Sequence, residues 1–287
     1  FDGVSYLASV NYKLTESQLV YFKLSRGFRG GALQLRAPYM APAEPEQADD
    51  YELGFKGDFW NRRLRLNLAL YRTDYDNQQQ TGIEFVPGTS NPAVPGSGVR
   101  TTVLRNASKA RYQGAELEWR VLPFDGFSFY GNLGVVDAEY REWPNAPTAL
   151  GNSNPAFIDA GGMQIEIPKY TGNVGARYEF DAGAGRLGVQ ADVNFATKTP
   201  LTALTNESLV PDSYERWYRK GRQLVSARID YAIPEHGLTV AIWGTNLTDE
   251  GYQSLSIVST ANGGLVTGFT REPRMYGITF RKSFGGE

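Results

Sequence analysis

The chain contains no cysteine and one histidine, His236. The missing cysteine excludes a disulfide framework, a thiolate zinc site and a thiol nucleophile. The lone imidazole falls in the turn Pro234-Glu-His-Gly237, where a solvated turn residue is the expected reading, not a general base or a ligand. Long apolar runs are missing too. Charged residues make up 21% of the chain, and no stretch nears the roughly 18 consecutive apolar residues of a membrane helix. Neither sign of charge prevails: 29 Lys and Arg face 31 Asp and Glu, a net charge of -2, so there is no basic footprint for nucleic acid and none is expected as a partner. There is also no initiator Met or signal peptide. Phe1 opens within a strand approach, so an upstream segment is expected.

What the chain does have is alternation. In the last segment, Tyr276, Ile278, Phe280 and Phe284 fall on one face, while Gly277, Thr279, Arg281 and Ser283 fall on the other; Lys282 interrupts the apolar side. The same dyad pattern starts at Tyr6, Ala8, Val10, Tyr12 and Leu14. It returns in Val20, Phe22 and Leu24, then in Tyr51, Leu53, Phe55, Gly57 and Phe59, and in Leu64, Leu66, Leu68 and Leu70. Ala115, Leu117, Trp119 and Val121 run against Gln113, Gly114, Glu116 and Glu118. Phe127 to Val135, Tyr170 to Phe180, Leu187 to Phe195, Val225 to Tyr231 and Leu238 to Ile242 repeat it. Short turns such as Trp60-Asn-Arg62 and Pro123-Phe-Asp-Gly126 take strict turns with long loops. Those loops are expected at about 27–47, 78–105, 141–165, 197–221 and 248–272.

This pattern predicts an all-β chain: a transmembrane antiparallel β-barrel of about eleven strands, each about 9–15 residues long, with an outer face toward lipid and an inner face toward water. A hydrophilic average is expected of such a protein, because only alternate residues meet lipid. The 13% of aromatic residues suit interfacial girdles, and the 32 glycines suit tight turns and close strand packing. An odd strand number beginning in mid-pattern predicts part of a larger barrel. A soluble all-β sandwich adhesin is the alternative. Its strands should be shorter and its loops should alternate less regularly.

Five stretches carry a family resemblance: Leu19 to Gly31 (LVYFKLSRGFRGG); Glu44-Pro-Glu46 with Tyr51 to Lys56 (YELGFK); Tyr112 to Trp119 (YQGAELEW); Trp243 to Tyr252 (WGTNLTDEGY); and Pro273-Arg-Met-Tyr-Gly277 running to Phe284. Together they resemble the C-terminal barrel half of TonB-dependent outer-membrane receptors of the siderophore-receptor type. The resemblance implies a barrel of about 22 strands around an N-terminal plug. Residues 1–287 would be its C-terminal part, with the N-terminal barrel half and plug lying outside this chain. It further implies a multi-pass protein of the bacterial outer membrane. That protein would bind a scarce nutrient, foremost a ferric siderophore, and import it with energy from the TonB system. The partners implied are the small-molecule ligand, TonB through the missing N-terminal region, and outer-membrane lipid. Cobalamin or carbohydrate reception and a passive porin-like channel are the alternatives. Gly285-Gly-Glu287 after Phe284 departs from a barrel ending on its aromatic residue.

No catalytic residues, metal ligands or resident cofactors are expected. Glu116 and Glu118 read as lumenal salt-bridge partners, not as an acid-base pair. Iron would arrive already chelated, and loops without histidine argue against haem. Ligand contact is expected from the long-loop side. Arg26 and Arg29 flank Gly27-Phe28 at a strand exit, where guanidinium forks suit carboxylate or catecholate oxygens. Tyr214, Arg216, Trp217, Tyr218 and Arg219 combine aromatic faces with cations, as a planar anionic ligand would require; an interfacial girdle is the alternative. Tyr39, Met40, Gln78, Gln79, Gln80, Trp143 and Phe157 are further loop candidates.

Overall fold

A computed structural model describes residues 2–35, 41–86, 88–89, 99–144, 146–147, 157–201, 218–259, 265–270 and 272–284. The described residues form an antiparallel sheet of eleven strands, each beside its neighbour in the chain. The strands are β1 (Tyr6–Thr15), β2 (Gln18–Arg29), β3 (Glu46–Phe59), β4 (Leu64–Phe85), β5 (Arg100–Val121), β6 (Phe127–Glu142), β7 (Tyr170–Ala182), β8 (Gly185–Ala196), β9 (Arg222–Ile233), β10 (Leu238–Thr245) and β11 (Met275–Lys282). No helix among the described residues is long and apolar enough to cross a membrane, which says nothing about crossing by strands. Short turns close the sheet at one end, and the long connections leave from the other. The β3–β4 turn holds Trp60, Asn61 and Arg62 in succession at φ 53°, 54° and 66°. Side chains rarely adopt that left-handed conformation.

Register turns the sequence alternation into two faces. Val10, Phe22, Leu53, Leu70, Ala115, Val135 and Tyr170 stand directly opposite one another from β1 to β7. Phe127, Tyr178, Val189, Ile229, Ile242 and Ile278 continue across β6 to β11. Val10 is 70% exposed, Ile229 50% and Ile278 62%. A soluble protein does not leave an apolar face this wide open to water; a barrel wall in lipid does. A register slip of one residue on any strand would put its charges into that face, so burial in lipid specifies the pairing strongly.

The opposite face is polar and cross-linked by charge. Lys23 pairs with Glu52 and Asp50, and Arg65 with Asp58. Arg177 forks onto Asp230 with two bonds of 2.9 Å, and Arg228 reaches the same carboxylate at 3.2 Å. Glu118 accepts a bond from the Asn67 amide at 3.2 Å, and neither Glu116 nor Glu118 makes the expected salt bridge among the described residues.

Six direct cross-strand pairs set an aromatic ring over a glycine: Tyr21/Gly54, Tyr71/Gly114, Tyr130/Gly175 and Trp243/Gly277 on the polar face, Trp119/Gly131 and Phe195/Gly172 on the apolar one. In each, a Cβ on the glycine would run into the facing ring. Large rings therefore lie flat along the sheet instead of standing off it. Their polar tips reach past the glycine: Tyr21 donates to Glu52, two residues along β3, at 2.5 Å, and Tyr130 to Asp192, the residue opposite Gly175 on β8, at 2.8 Å.

The structure corrects three expectations. Strands β4 and β5 are 22 residues each, longer than expected. Half of the predicted 78–105 loop is their paired extension, from Gln78↔Ser108 to Phe85↔Arg100. Register shifts between Tyr75 and Gln79, with Asn77 at φ 54°, break the alternation there and hide the strand from a periodicity argument. Likewise Gln253–Ser259 pairs with Leu265–Thr270 inside the predicted 248–272 loop. Gln113 shares the face of Ala115, not that of Glu116, and donates to Asp137 at 3.5 Å. It belongs to a charged band on the apolar-face parity near the long-loop end, with Arg72, Asp74, Arg111, Glu139 and Arg141.

Candidate ligand-facing end of the sheet

At the long-loop end the polar face stops being uniformly polar. Ala110, Ala138 and Tyr140 from β5 and β6 form a buried cluster with Trp143, Ala146, Ala160 and Ile165, and Tyr75, Tyr112 and Met163 pack against it. The Tyr140 and Trp143 rings are 4.6 Å apart, those of Tyr75 and Tyr112 5.3 Å. The chain returning to β7 holds this cluster shut. Tyr140 N–H donates to Met163 at 3.0 Å, Gly162 N–H to Tyr140 at 2.7 Å and Ile165 N–H to Ala138 at 2.9 Å. The predicted 141–165 loop thus folds partly as an irregular strand beside upper β6.

Amide side chains clamp the β2–β3 connection onto the β4–β5 extension. Asn106 donates to Glu44 O at 2.8 Å and to Asn77 O at 3.0 Å, and it accepts from Glu44 N–H at 2.7 Å. Gln34 brackets the Leu104 peptide, and Gln79 donates to Gly30 O and Glu44 O, both at 2.9 Å. Buried amides of this kind supply both a donor and an acceptor, which a loop lying against a strand edge needs. Within the sequence stretch Gln78-Gln-Gln80, Gln79 therefore serves as a fastening for neighbouring backbone, while Gln78 donates to the Tyr112 hydroxyl at 3.3 Å.

The predicted ligand residues fall in different places. Arg26 shares its face with Leu24 and Phe22, forks onto Asp49 with two bonds of 2.6 Å, and lies 5.7 Å from the Tyr6 ring. Its guanidinium is committed at the margin of the apolar face. Arg29 is exposed on the polar-face parity opposite Glu46. The geometry therefore separates two arginines that lie three apart in sequence. Tyr218 pairs with Pro200 and Arg219 with Thr199 across the β8–β9 connection. Tyr214, Arg216 and Trp217 lie outside the described residues, as do Tyr39 and Met40. Phe157 pairs through its backbone with Pro147. His236 sits at the short-turn end, where its carbonyl accepts a bond from Lys282.

Sequence reasoning missed Arg222 and Tyr252. Arg222 opens β9 opposite Ala196, with its guanidinium 5.5 Å from the Tyr252 ring, and Lys198 stands 4.1 Å over the Tyr218 ring. The run Arg219-Lys-Gly-Arg222, directly after the singled-out aromatic segment, was the available signal. Tyr252 belongs to a turn built from two of the stretches that carried the family resemblance. Asn246, at φ 48°, donates to Glu250 O at 3.0 Å and to Glu272 O at 3.4 Å, while its Oδ1 accepts from Glu250 N–H at 2.8 Å. Asp249 accepts from Arg274 N–H at 3.2 Å and meets its guanidinium at 3.6 Å. Stretches far apart in sequence thus join where β10 leaves and β11 begins.

A wide antiparallel sheet with one lipid-suited face, one ion-paired face and all long connections at one end defines part of a transmembrane β-barrel. Comparison with known proteins gives the family. Residues 1–247 match the model described as TonB dependent receptor-like, beta-barrel, and the chain belongs to that family. Its relatives include the ferric-pyoverdine 358 receptor of Pseudomonas putida, 29% identical over 134 residues, 46% of this chain and 15% of that protein. Another is the probable TonB-dependent siderophore receptor PiuA of Acinetobacter baumannii, 22% identical over 247 residues, 83% of this chain and 30% of that protein. Among solved structures, the ferric yersiniabactin uptake receptor FyuA of Yersinia pestis superposes with a TM-score of 0.71 at 18% identity, over 97% of this chain and 37% of that one. The structure of PiuA from Acinetobacter baumannii gives 0.69 at 16% identity, over 96% of this chain and 35% of that one. These superpositions show the fold. The chain spans 30% or less of the length of the curated relatives named here.

Proposed function

We propose that this chain is the C-terminal part of an outer-membrane receptor that imports a ferric siderophore with energy from the TonB system, and that it is not an enzyme. The observation that carries the reading is the pairing of a lipid-suited face with an ion-paired face whose long-loop end is built over by folded connections. Siderophore receptors among the relatives support it. On this reading the short turns face the periplasm and the long connections face outward. Edge strands β1 and β11 each have one neighbour in the sheet. Backbone left unpaired in lipid is costly, so further strands of the same protein would cover both edges. A plug and the segment that meets TonB would lie in that remainder. A barrel of about 22 strands leaks unless plugged, which is why selective binding with energised release is the mechanism that suits its width.

Ligand contact is assigned to Arg29, Tyr218 and Arg219 on the long-loop side, with Tyr214, Arg216 and Trp217 in the same connection. The test uses the full-length protein, with ferric siderophores, cobalamin and oligosaccharides offered to cells with and without an energised inner membrane. Saturable uptake of a ferric chelate that stops when the proton gradient is collapsed is the expected result. Uptake that is unsaturable and indifferent to the gradient would instead make the protein a passive channel.

A further inference from the structure

The two described arms of the β8–β9 connection differ from the rest of the sheet in how their charges are satisfied. Elsewhere the arginines are mostly bound to carboxylates: Arg26, Arg65, Arg111, Arg177 and Arg228 all are. Over residues 193–201 and 218–227 the sequence carries Lys198, Arg219, Lys220 and Arg222 and no Asp or Glu. Arg219, Lys220 and Arg222 take part in no ion pair among the described residues. The Nε atoms of Arg219 and Arg222 are buried and meet no hydrogen-bond acceptor. The carboxylates of the intervening sequence, Glu207, Asp212 and Glu215, lie outside the described residues.

An unsatisfied guanidinium N–H shielded from water is expensive, and native structures retain few such groups without a partner that arrives from elsewhere. Position adds to the argument. Arg222 has the strand parity of Arg228 and Asp230, hence the polar face, at the end where the long connections converge. Its guanidinium carbon lies 5.5 Å from the centre of the Tyr252 ring, a contact that leaves guanidinium N–H groups for oxygen acceptors.

We infer that Arg219 and Arg222, with Lys220 beside them, form an anion-receiving site at the base of the β8–β9 connection, and that the transported chelate is anionic, presenting carboxylate or catecholate oxygens. This rests on the import reading and narrows its ligand class. Among the described residues Arg219, Lys220 and Arg222 have no counter-charge, which an anionic chelate supplies and a neutral one does not. Anionic charge on the ligand also predicts binding that weakens with salt.

The experiment measures dissociation constants of the full-length receptor in detergent for ferric citrate, a ferric tris-catecholate and a neutral ferric trihydroxamate. Wild type, Arg219→Gln and Arg222→Gln are compared at low and high ionic strength. Wild type should prefer an anionic chelate and lose affinity as salt rises, a result that depends on no variant folding. Each Arg→Gln change should weaken the anionic chelate about ten- to a hundredfold, the scale of one charge-assisted contact, and leave the neutral one within about twofold of wild type. Arg222→Lys should fall between. Equal losses for anionic and neutral chelates, or no loss for either, overturn the site. Wild type binding only the neutral chelate overturns the ligand class and leaves the import reading standing. Wild type that binds no ferric chelate overturns both.

Discussion

The rings laid over glycines permit a test by double substitution, and Tyr21/Gly54 is the clearest pair. A methyl group at position 54 would occupy the space of the Tyr21 ring. The ring must then lift off the sheet and lose its 2.5 Å bond to Glu52. Overpacking of this kind costs about 1–3 kcal/mol. The lost bond adds about 1 kcal/mol more, held low because water on the polar face can replace the phenol. Gly54→Ala should therefore destabilise the full-length protein by about 2–4 kcal/mol. Tyr21→Ala removes the obstacle, so adding Gly54→Ala to it should cost nothing further and can even gain, since alanine outperforms glycine in a strand. The two changes should be coupled by about 2–4 kcal/mol, the whole cost of Gly54→Ala alone and well beyond the roughly 0.5 kcal/mol within which independent sites add. Urea unfolding in detergent micelles, followed by tryptophan fluorescence, reads all four corners of the cycle. If the two losses simply add, the ring does not depend on the glycine, and the account of all six pairs fails.

Asp230→Ala leaves Arg177 and Arg228 facing each other without their shared carboxylate, and should cost about 2–3 kcal/mol, partly restored by high salt; a loss insensitive to salt would mean that packing, not charge, was removed. Tyr140→Ala should open the cluster beneath the returning chain at a cost of about 3–5 kcal/mol, with hydrogen exchange accelerated at residues 160–167 and unchanged at the short-turn end. Exchange accelerated equally at both ends would show that the cluster belongs to the global core and not to a separate cap. His236→Ala should leave both ligand affinity and unfolding midpoint unchanged, because the contact at that residue is made by its backbone carbonyl; any loss of ligand binding would place the site at the wrong end of the sheet.

Which side chains share a face was legible in the sequence, because strand geometry makes that a matter of parity alone. Val10, Phe22, Leu53 and Leu70 could be assigned to lipid without knowing what stood beside them, and the regular exchange of short turns with long loops ordered the strands and separated the two ends. The parity rule fails where a bulge shifts the register, which is why β4 beyond Tyr75 read as loop. It also says nothing of height along the strand. Parity alone places Arg26 and Arg29 on opposite faces, although composition groups them as cations at one strand exit; the commitment of Arg26 to Asp49 depends on the neighbouring strand. Cross-strand neighbours depend on register, which only the assembled sheet decides. Rings over glycines, the Asp230 carboxylate shared by two arginines and Arg222 beside the Tyr252 ring all join residues from different strands or connections. Their composition was visible beforehand as aromatic, glycine and charge content. Their pairing is a property of the tertiary structure, because hydrogen bonding between strands, not the spacing along any one of them, determines which side chains meet.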